Sequence, residues 1–240
     1  MPTVEMSVVV PVFDEQEAAP ALAREIARAF EGLNYEMVFV DDASRDGTRA
    51  ALTALQGELP MLRVISHAHN AGQSRAIRTG ILAARAAIVI TLDGDGQNDP
   101  ADAPRLARRL AAGPENLAMV GGVREKRRDN AGKRFASRLG NGVRKALLND
   151  GAVDTGCGLK AFRREAFLRL PYFDHIHRYL PALMLREGYE IAFEPVNHRH
   201  RQSGKSKYSN LGRLWASASD LLGVIWLKSR ARDPGKISEA

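Results

Sequence analysis

The first half of the chain alternates two patterns of apolar positions. Short, β-branched apolar runs occur at 6–12 (MSVVVPV), 36–40 (EMVFV), 62–66, 87–92 (AIVITL) and 117–123. Runs of this length and composition read as strands, and 87–92, apolar on both faces, reads as a central one. Between them the apolar positions recur every three or four residues. Leu22, Ala23, Ile26, Ala27 and Phe30 make one helical stripe, and further helices are predicted over 48–55, 72–85 and 100–111. Strand then helix, repeated, is the pattern of parallel βα units, so the expected class is α/β: a Rossmann-like, mostly parallel sheet flanked by helices.

After Arg124 the rhythm changes. Residues 124–134 (REKRRDNAGKR) read as a polar, basic loop, followed by a predicted helix over 135–148, a further segment around 155–162, a helix over 179–187 and an apolar strand over 189–196. A second basic loop, 199–210 (RHRQSGKSKYSN), precedes a terminal helix over 211–228. That helix carries two tryptophans and ends at Lys228, Arg230 and Arg232, a pattern that suits an amphipathic helix lying in a membrane interface. The competing reading is a helix docked on the domain or on a partner. The expected organisation is a catalytic domain over 1–210 and an interfacial helix with a basic tail over 211–240.

Composition sharpens this picture. With 240 residues and 45% hydrophobic content the chain suits one core. The single cysteine, Cys157, excludes an intramolecular disulfide and a cysteine-based zinc site, and fits a reducing compartment. The start Met1, Pro2, Thr3 lacks the basic, then apolar, run of a secretory signal, and no stretch of about 18 uncharged apolar residues occurs. A cytoplasmic protein is expected. The net charge of +7 is uneven: 124–145 holds nine Lys/Arg against two acids and 198–240 nine against three, so the remainder is acidic. Two basic segments on an acidic body point to an anionic ligand or surface.

The strongest chemical constellation is Asp93, Gly94, Asp95, Gly96 and Gln97, directly after the predicted central strand. Alternation along an extended backbone points both carboxylates the same way, and the glycine between them admits a bulky ligand. Such a pair suits a hard divalent cation that shares phosphate oxygens. Asp41 and Asp42 end the second predicted strand, and Pro11, Val12, Phe13, Asp14 and Glu15 follow the first. Strand ends of one parallel sheet converge on one edge, where such folds bind ligands. Two other motifs fail. Gly204, Lys205 and Ser206 lack the upstream glycine of a phosphate loop, and Gly156 to Ala161 fits a dinucleotide fingerprint but has no clean strand before it. The histidine pairs 67/69, 175/177 and 198/200 read as loop and edge residues rather than a zinc site.

Taken in order, VVVPVFDE, VDDASRDGT, HNAGQSRAIRTGI, LDGDGQNDP, GLKAF and RQSGKSKYS make the chain resemble the inverting family 2 glycosyltransferases of GT-A fold. The resemblance spans about residues 5–210 and is strongest to the dolichol-phosphate mannose synthase branch, which moves a sugar from a nucleotide diphosphate to a polyprenyl phosphate. It implies that Pro11, Phe13, Glu15, Val40 and Asp42 hold base and ribose. It further implies that Gly94, Asp95 and Gln97 hold diphosphate and metal (Mg²⁺ or Mn²⁺, on Asp95 and Gln97), and that Arg124, Arg201 and Lys207 complete the phosphate-binding set. Asp93, Asp95, Arg124 and Arg201 would be catalytic. Phe13 stands where relatives often carry tyrosine. The glutamine-x-x-arginine-tryptophan motif of processive synthases is absent, since Gln202 is followed by Ser203, Gly204 and Lys205.

Elementary chemistry favours a phosphate acceptor. A hydroxyl acceptor needs a general base, whereas a phosphate monoester is already ionised and needs cations to approach a diphosphate. The alternative is a family 2 enzyme acting on a hydroxyl of a lipopolysaccharide or other cell-envelope glycan, with Asp154 as base. The expected partners are a nucleotide-sugar donor (GDP-mannose or a UDP-sugar), a dolichyl or undecaprenyl phosphate, and the cytoplasmic face of a membrane or a membrane-protein partner. Nucleic acid is not expected: only 6% of residues are aromatic, and the basic loops carry few stacking platforms.

Overall fold

The computed structural model describes residues 4–124, 147–152, 154–199 and 210–232, with side chains in the last stretch from 218 onward. In chain order the elements are β1 (Met6–Val12), α1 (Ala18–Ala29), β2 (Tyr35–Asp41), α2 (Thr48–Leu55), β3 (Leu62–Ser66), α3 (Gln73–Ala83), β4 (Ile88–Thr91), α4 (Ala103–Ala111) and β5 (Leu117–Arg124). There follow β6 (Lys160–Arg163), α5 (Arg164–Arg169), α6 (Leu180–Arg186), β7 (Glu190–Val196) and α7 (Asn210–Arg230), with single 3₁₀ turns at Pro100–Asp102 and Ile176–Arg178. The predicted 135–148 helix lies outside the described residues except at its last two positions.

The strands form one sheet in the order β3-β2-β1-β4-β6-β5-β7. β1 pairs in parallel with β2 and β4, β2 with β3, and β5 with β7. β6 departs from the expected pattern, running antiparallel to both β4 and β5. It is only four residues long and turns straight into α5, so it carries neither the length nor the periodicity that announced the other strands.

Alternation along β1 divides the core. Val8, Val10 and Val12 pack with Leu22, Ile26 and Phe30 of α1, Leu52 of α2 and Leu106 of α4 on one face. Val9 joins Val38, Val40, Ile77, Ile81, Phe162, Phe167 and Leu183 on the other, under α3, α5 and α6. Each fully buried large side chain contributes roughly 1.5–3 kcal/mol relative to exposure. Because the chain runs from β1 outward to β3 and then returns to β4 on β1's other side, β1 and β4 flank the topological switch point, where a crevice opens at the strands' C-terminal ends.

Helix α7 docks by one face. Val224 is fully buried and Leu221 and Ile225 are partly buried against the α3–α6 core. Arg186 Nε donates to the Leu227 carbonyl at 3.0 Å, Lys228 Nζ donates to the Leu148 carbonyl, and His175 Nδ1 lies 2.8 Å from Asp220 Oδ2. The other face stays bare: Leu222 is 68% and Trp226 58% exposed, with the Arg230 guanidinium 5.8 Å from the Trp226 ring centroid. Among the described residues no helix is long and apolar enough to cross a membrane.

Candidate active site

The crevice has a volume of about 480 Å³ and draws its lining from both sides of the switch point. Pro11, Phe13 and Glu15 come from the end of β1, Asp42 from the end of β2, Gln73 and Ala76 from α3, and Asp93, Gly94 and Asp95 from the turn after β4. Arg124 at the end of β5, Thr155 to Gly158, Lys160 of β6, and His177 and Arg178 complete it. Gly94 passes so close to β1 that an added Cβ would lie 2.6 Å from the Pro11 carbonyl oxygen; only glycine brings the Asp93–Asp95 turn this near.

On the β1–β2 side the loops lock together. The Asp14 amide donates to Ser44 Oγ at 2.9 Å, Asp14 Oδ1 accepts from the Arg45 amide at 2.7 Å, and the Glu15 amide donates to Thr48 Oγ1 at 2.8 Å. Asp14 (φ 50°) and Ala43 (φ 61°) both hold left-handed backbone, a strain that these bonds sustain at the crevice rim. Phe13 presents its ring with Arg45 5.9 Å from the centroid. The Asp42 carboxylate accepts from the Ala71 and Gly72 amides at 2.9 and 2.8 Å and lies 2.7 Å from His67 Nδ1. It thereby sits just ahead of the positive end of α3, a favourable place for negative charge.

On the β6 side the electrostatics are less settled. Asp93 Oδ1 accepts from Gln73 Nε2 at 2.8 Å, yet burial and the neighbouring Asp95 charge push its carboxyl up to about 6, against the pull of Lys160 and Arg124. Gly158 lies directly behind it, where a Cβ would stand 2.2 Å from Asp93 Oδ2. Burial lowers Lys160 below the ordinary lysine value while its Nζ donates to the Cys157 carbonyl. Burial also keeps the Cys157 thiol protonated by pushing it up. Burial works against the Arg124 charge, but hydrogen bonds to Asp154 at 2.6 and 2.7 Å outweigh it and raise Arg124. His177 is held well below its usual value by burial, then by the charges of Arg178 and Lys160, and its Nδ1 lies 2.7 Å from Ser74 Oγ.

The structure thus gathers Pro11, Phe13, Glu15, Asp42, Asp93, Gly94, Asp95 and Arg124 around one space. Val40 is not among the lining residues. It is fully buried in the core beneath, against Gly80 of α3, because alternation along β2 turns it away from the opening. The Gln97 side chain is also absent from the lining. Its amide donates to Asp95 Oδ1 at 3.1 Å and its carbonyl accepts from the Arg199 amide at 2.9 Å. Arg201 and Lys207 lie outside the described residues. Gln73, Lys160, His177 and Arg178 were not anticipated as site residues from the sequence. The Gly156–Ala161 motif, dismissed as a dinucleotide fingerprint, supplies part of the wall as a close-approach loop leading into β6.

The chain returns to this turn once more. Asn98 bridges His198 across an isolated β-bridge, while its Oδ1 accepts from the Asp93 amide at 3.0 Å. Arg199 pairs with Asp99 at 2.7 Å and with Glu25. Among the described residues no three His, Cys, Asp or Glu side chains form a metal cage. Asp95 could hold a hard divalent cation only if phosphate oxygens and water completed the shell, as Mg²⁺ and Mn²⁺ accept. Two adjacent carboxylates, one of them buried enough to resist ionisation, fit that role, since a cation would relieve their repulsion.

Comparison with known proteins bears on this geometry. A family model described as Glycosyl transferase family 2 matches residues 7–170. A curated relative, undecaprenyl-phosphate 4-deoxy-4-formamido-L-arabinose transferase of Sodalis glossinidius (strain morsitans), is 35% identical over 212 residues, covering 85% of this chain. The chain spans only 63% of that relative's length. Among solved structures, glucosyl-3-phosphoglycerate synthase from Mycobacterium tuberculosis in complex with Mg²⁺ and UDP superposes with a TM-score of 0.70 at 20% identity, over 96% of this chain and 81% of that one. The same enzyme with Mn²⁺, UDP and glucosyl-3-phosphoglycerate gives 0.71 at 21% identity, over 96% and 82%. These neighbours share the expected GT-A fold.

Proposed function

The chain belongs to glycosyltransferase family 2, and from that premise we propose that it transfers a sugar from a nucleotide diphosphate to the phosphate of a polyprenyl lipid, with inversion. The curated relative acts on undecaprenyl phosphate, which supports this acceptor class. The observation that carries the reading is the state of Asp154. As the base of a hydroxyl-acceptor mechanism it would need a free carboxylate, but both its oxygens accept from Arg124. A phosphate monoester needs no such base.

In this reading Phe13 and Glu15 hold the nucleoside, and Asp95, oriented by the Gln97 amide, holds Mg²⁺ or Mn²⁺. The cation, when bound, supplies charge to the departing diphosphate. Asp93 orients the donor sugar and Arg124 balances phosphate charge; Arg201 and Lys207, in the second basic loop, extend that cationic set. Residues 1–210 form the catalytic unit. Helix α7 lies at the cytoplasmic membrane surface, its exposed Leu222 and Trp226 meeting the bilayer and the exposed Arg230 and Arg232 its anionic headgroups. Support for a bilayer comes from that apolar face with its cationic end, and Leu222→Ser with Trp226→Ser should abolish flotation with phosphatidylglycerol vesicles. Unchanged flotation of the variant would take the contact away from this face of α7, and wild-type protein that does not float would rule the bilayer out and favour a membrane-protein partner.

The deciding experiment is product mass spectrometry with pure protein, Mg²⁺ or Mn²⁺, undecaprenyl or dolichyl phosphate, and a panel of GDP- and UDP-sugars. A lipid mass raised by one sugar is the expected result. Donor hydrolysis with no lipid product in every combination would overturn it and move the assignment to a hydroxyl acceptor. Asp154→Asn provides a second test. It should lower stability by about 3–5 kcal/mol through the unpaired Arg124, while transfer by the folded fraction persists. Near-complete loss of a hydroxyl-directed transfer in protein shown to be folded would instead make Asp154 the base.

A further inference from the structure

Three cationic side chains line the crevice among the described residues, and two of them are committed: Arg124 to Asp154, and Lys160 to the Cys157 carbonyl. The third, Arg178, is half-buried, and its guanidinium makes no ion pair or hydrogen bond among the described residues. Its donors are therefore left for an anion that enters the crevice.

The backbone around Arg178 is fixed. Ile176 and Tyr179 are buried on either side, and His177 is tied to Ser74 in the first turn of α3. The same short segment is held to helix α7 through His175, itself in left-handed backbone (φ 62°), and Asp220. The wall carrying Arg178 is therefore the one joined to the helix whose outer face exposes Leu222 and Trp226.

Resting on the lipid-phosphate reading above, we propose that Arg178 holds the phosphate of the lipid acceptor, through the forked donors of its guanidinium. A nucleotide diphosphate shares its charge with a cation on Asp95. A second phosphate brought into the same crevice needs a positive group of its own, and a planar guanidinium matches phosphate oxygens two at a time. An acceptor arriving from a lipid surface reaches the Arg178 wall through the segment that α7 braces.

The test needs no knowledge of the donor. Farnesyl phosphate, a short prenyl monophosphate, and farnesol, its neutral counterpart, are titrated calorimetrically into the full chain, and UDP or GDP with Mn²⁺ is titrated separately. Wild-type protein should bind farnesyl phosphate in preference to farnesol. Arg178→Ala should weaken farnesyl phosphate by about 10- to 100-fold and leave nucleotide affinity within about twofold. Arg178→Lys, which keeps the charge but not the fork, should fall between them, and it decides the matter if the alanine variant fails to fold. Unchanged farnesyl phosphate affinity in both variants overturns the assignment, and so does an equal loss of nucleotide affinity, which would give Arg178 to the donor. If wild-type protein binds farnesol as well as farnesyl phosphate, the lipid-phosphate reading fails and takes this proposal with it. A wild-type preference that both variants retain removes the Arg178 assignment alone.

Discussion

On the β1–β2 side of the crevice, Asp14, Ser44, Arg45, Asp46 and Thr48 satisfy one another through hydrogen bonds, and Asp42 is engaged by three donors. On the β6 side, Asp93, Lys160 and His177 are each displaced from their ordinary protonation behaviour, and Arg178 has no partner among the described residues. The contrast separates two tasks. A wall whose polar groups are already paired can hold a nucleoside in a fixed shape without changing state. A wall whose charges are incompletely compensated gains most when charged ligands arrive, which is where group transfer is assisted.

The largest expected effect falls on the uncompensated wall. Asp95→Asn removes the charge that would hold the cation and should lower turnover by about 10²–10³-fold with little change in melting temperature; near-normal turnover at saturating Mn²⁺ would erase the contrast. Next comes Gly158→Ala, whose added methyl collides with the Asp93 carboxylate. It should cost about 1–3 kcal/mol in urea unfolding and also depress turnover, because Asp93 must move. A loss of stability with full activity would show that the position of Asp93 is immaterial.

The opposite, N-terminal edge of the same strands should answer in stability alone. There Glu36 of β2 accepts from Ser7 Oγ at 2.7 Å, the Arg85 amide at 2.6 Å and Arg63 at 2.7 Å. Burial by itself would raise its carboxyl, but these bonds hold it below the ordinary range. The folded state therefore favours the ionised form. The resulting stability is complete above the carboxyl's unfolded value of about 4.3 and disappears as pH falls through the lower folded value. Glu36→Gln should cost about 1–3 kcal/mol at pH 7 by urea unfolding, a difference that shrinks below about pH 4, with turnover unaffected. The smallest effect is expected at the nucleoside: Phe13→Leu should raise the donor KM by about three- to tenfold at constant kcat, through lost stacking. A fall in kcat instead would place Phe13 nearer the reacting atoms.

The two sides also differ in how plainly the sequence announces them. Asp42 and Asp93–Asp95 each follow an apolar β-branched run directly, so strand prediction and parallel-sheet topology suffice to bring them to one edge. Val40 shows the limit of that reasoning: adjacent to a site residue in sequence, it faces the opposite way by strand parity. Lys160 becomes a wall residue only because β6 inserts antiparallel between β4 and β5, a long-range pairing without a local signal. His177 and Arg178 sit on a 3₁₀ turn too short for periodicity, and their placement depends on Ser74, 103 residues earlier. The terminal helix was legible as a helix. That one of its faces docks through Val224 and the other stays bare is decided by tertiary packing.

The bridge between Asn98 and His198, with Arg199 fastened to Asp99 and Glu25, bears on how such proteins recombine. A chimera that exchanges everything after β7 for a relative's segment severs contacts reaching into the turn that carries both carboxylates. The tail is therefore not an independent cassette. A graft must bring the 97–99 turn and the α1 surface around Glu25 with it, and lineages that diversify this tail are expected to vary these distant positions together.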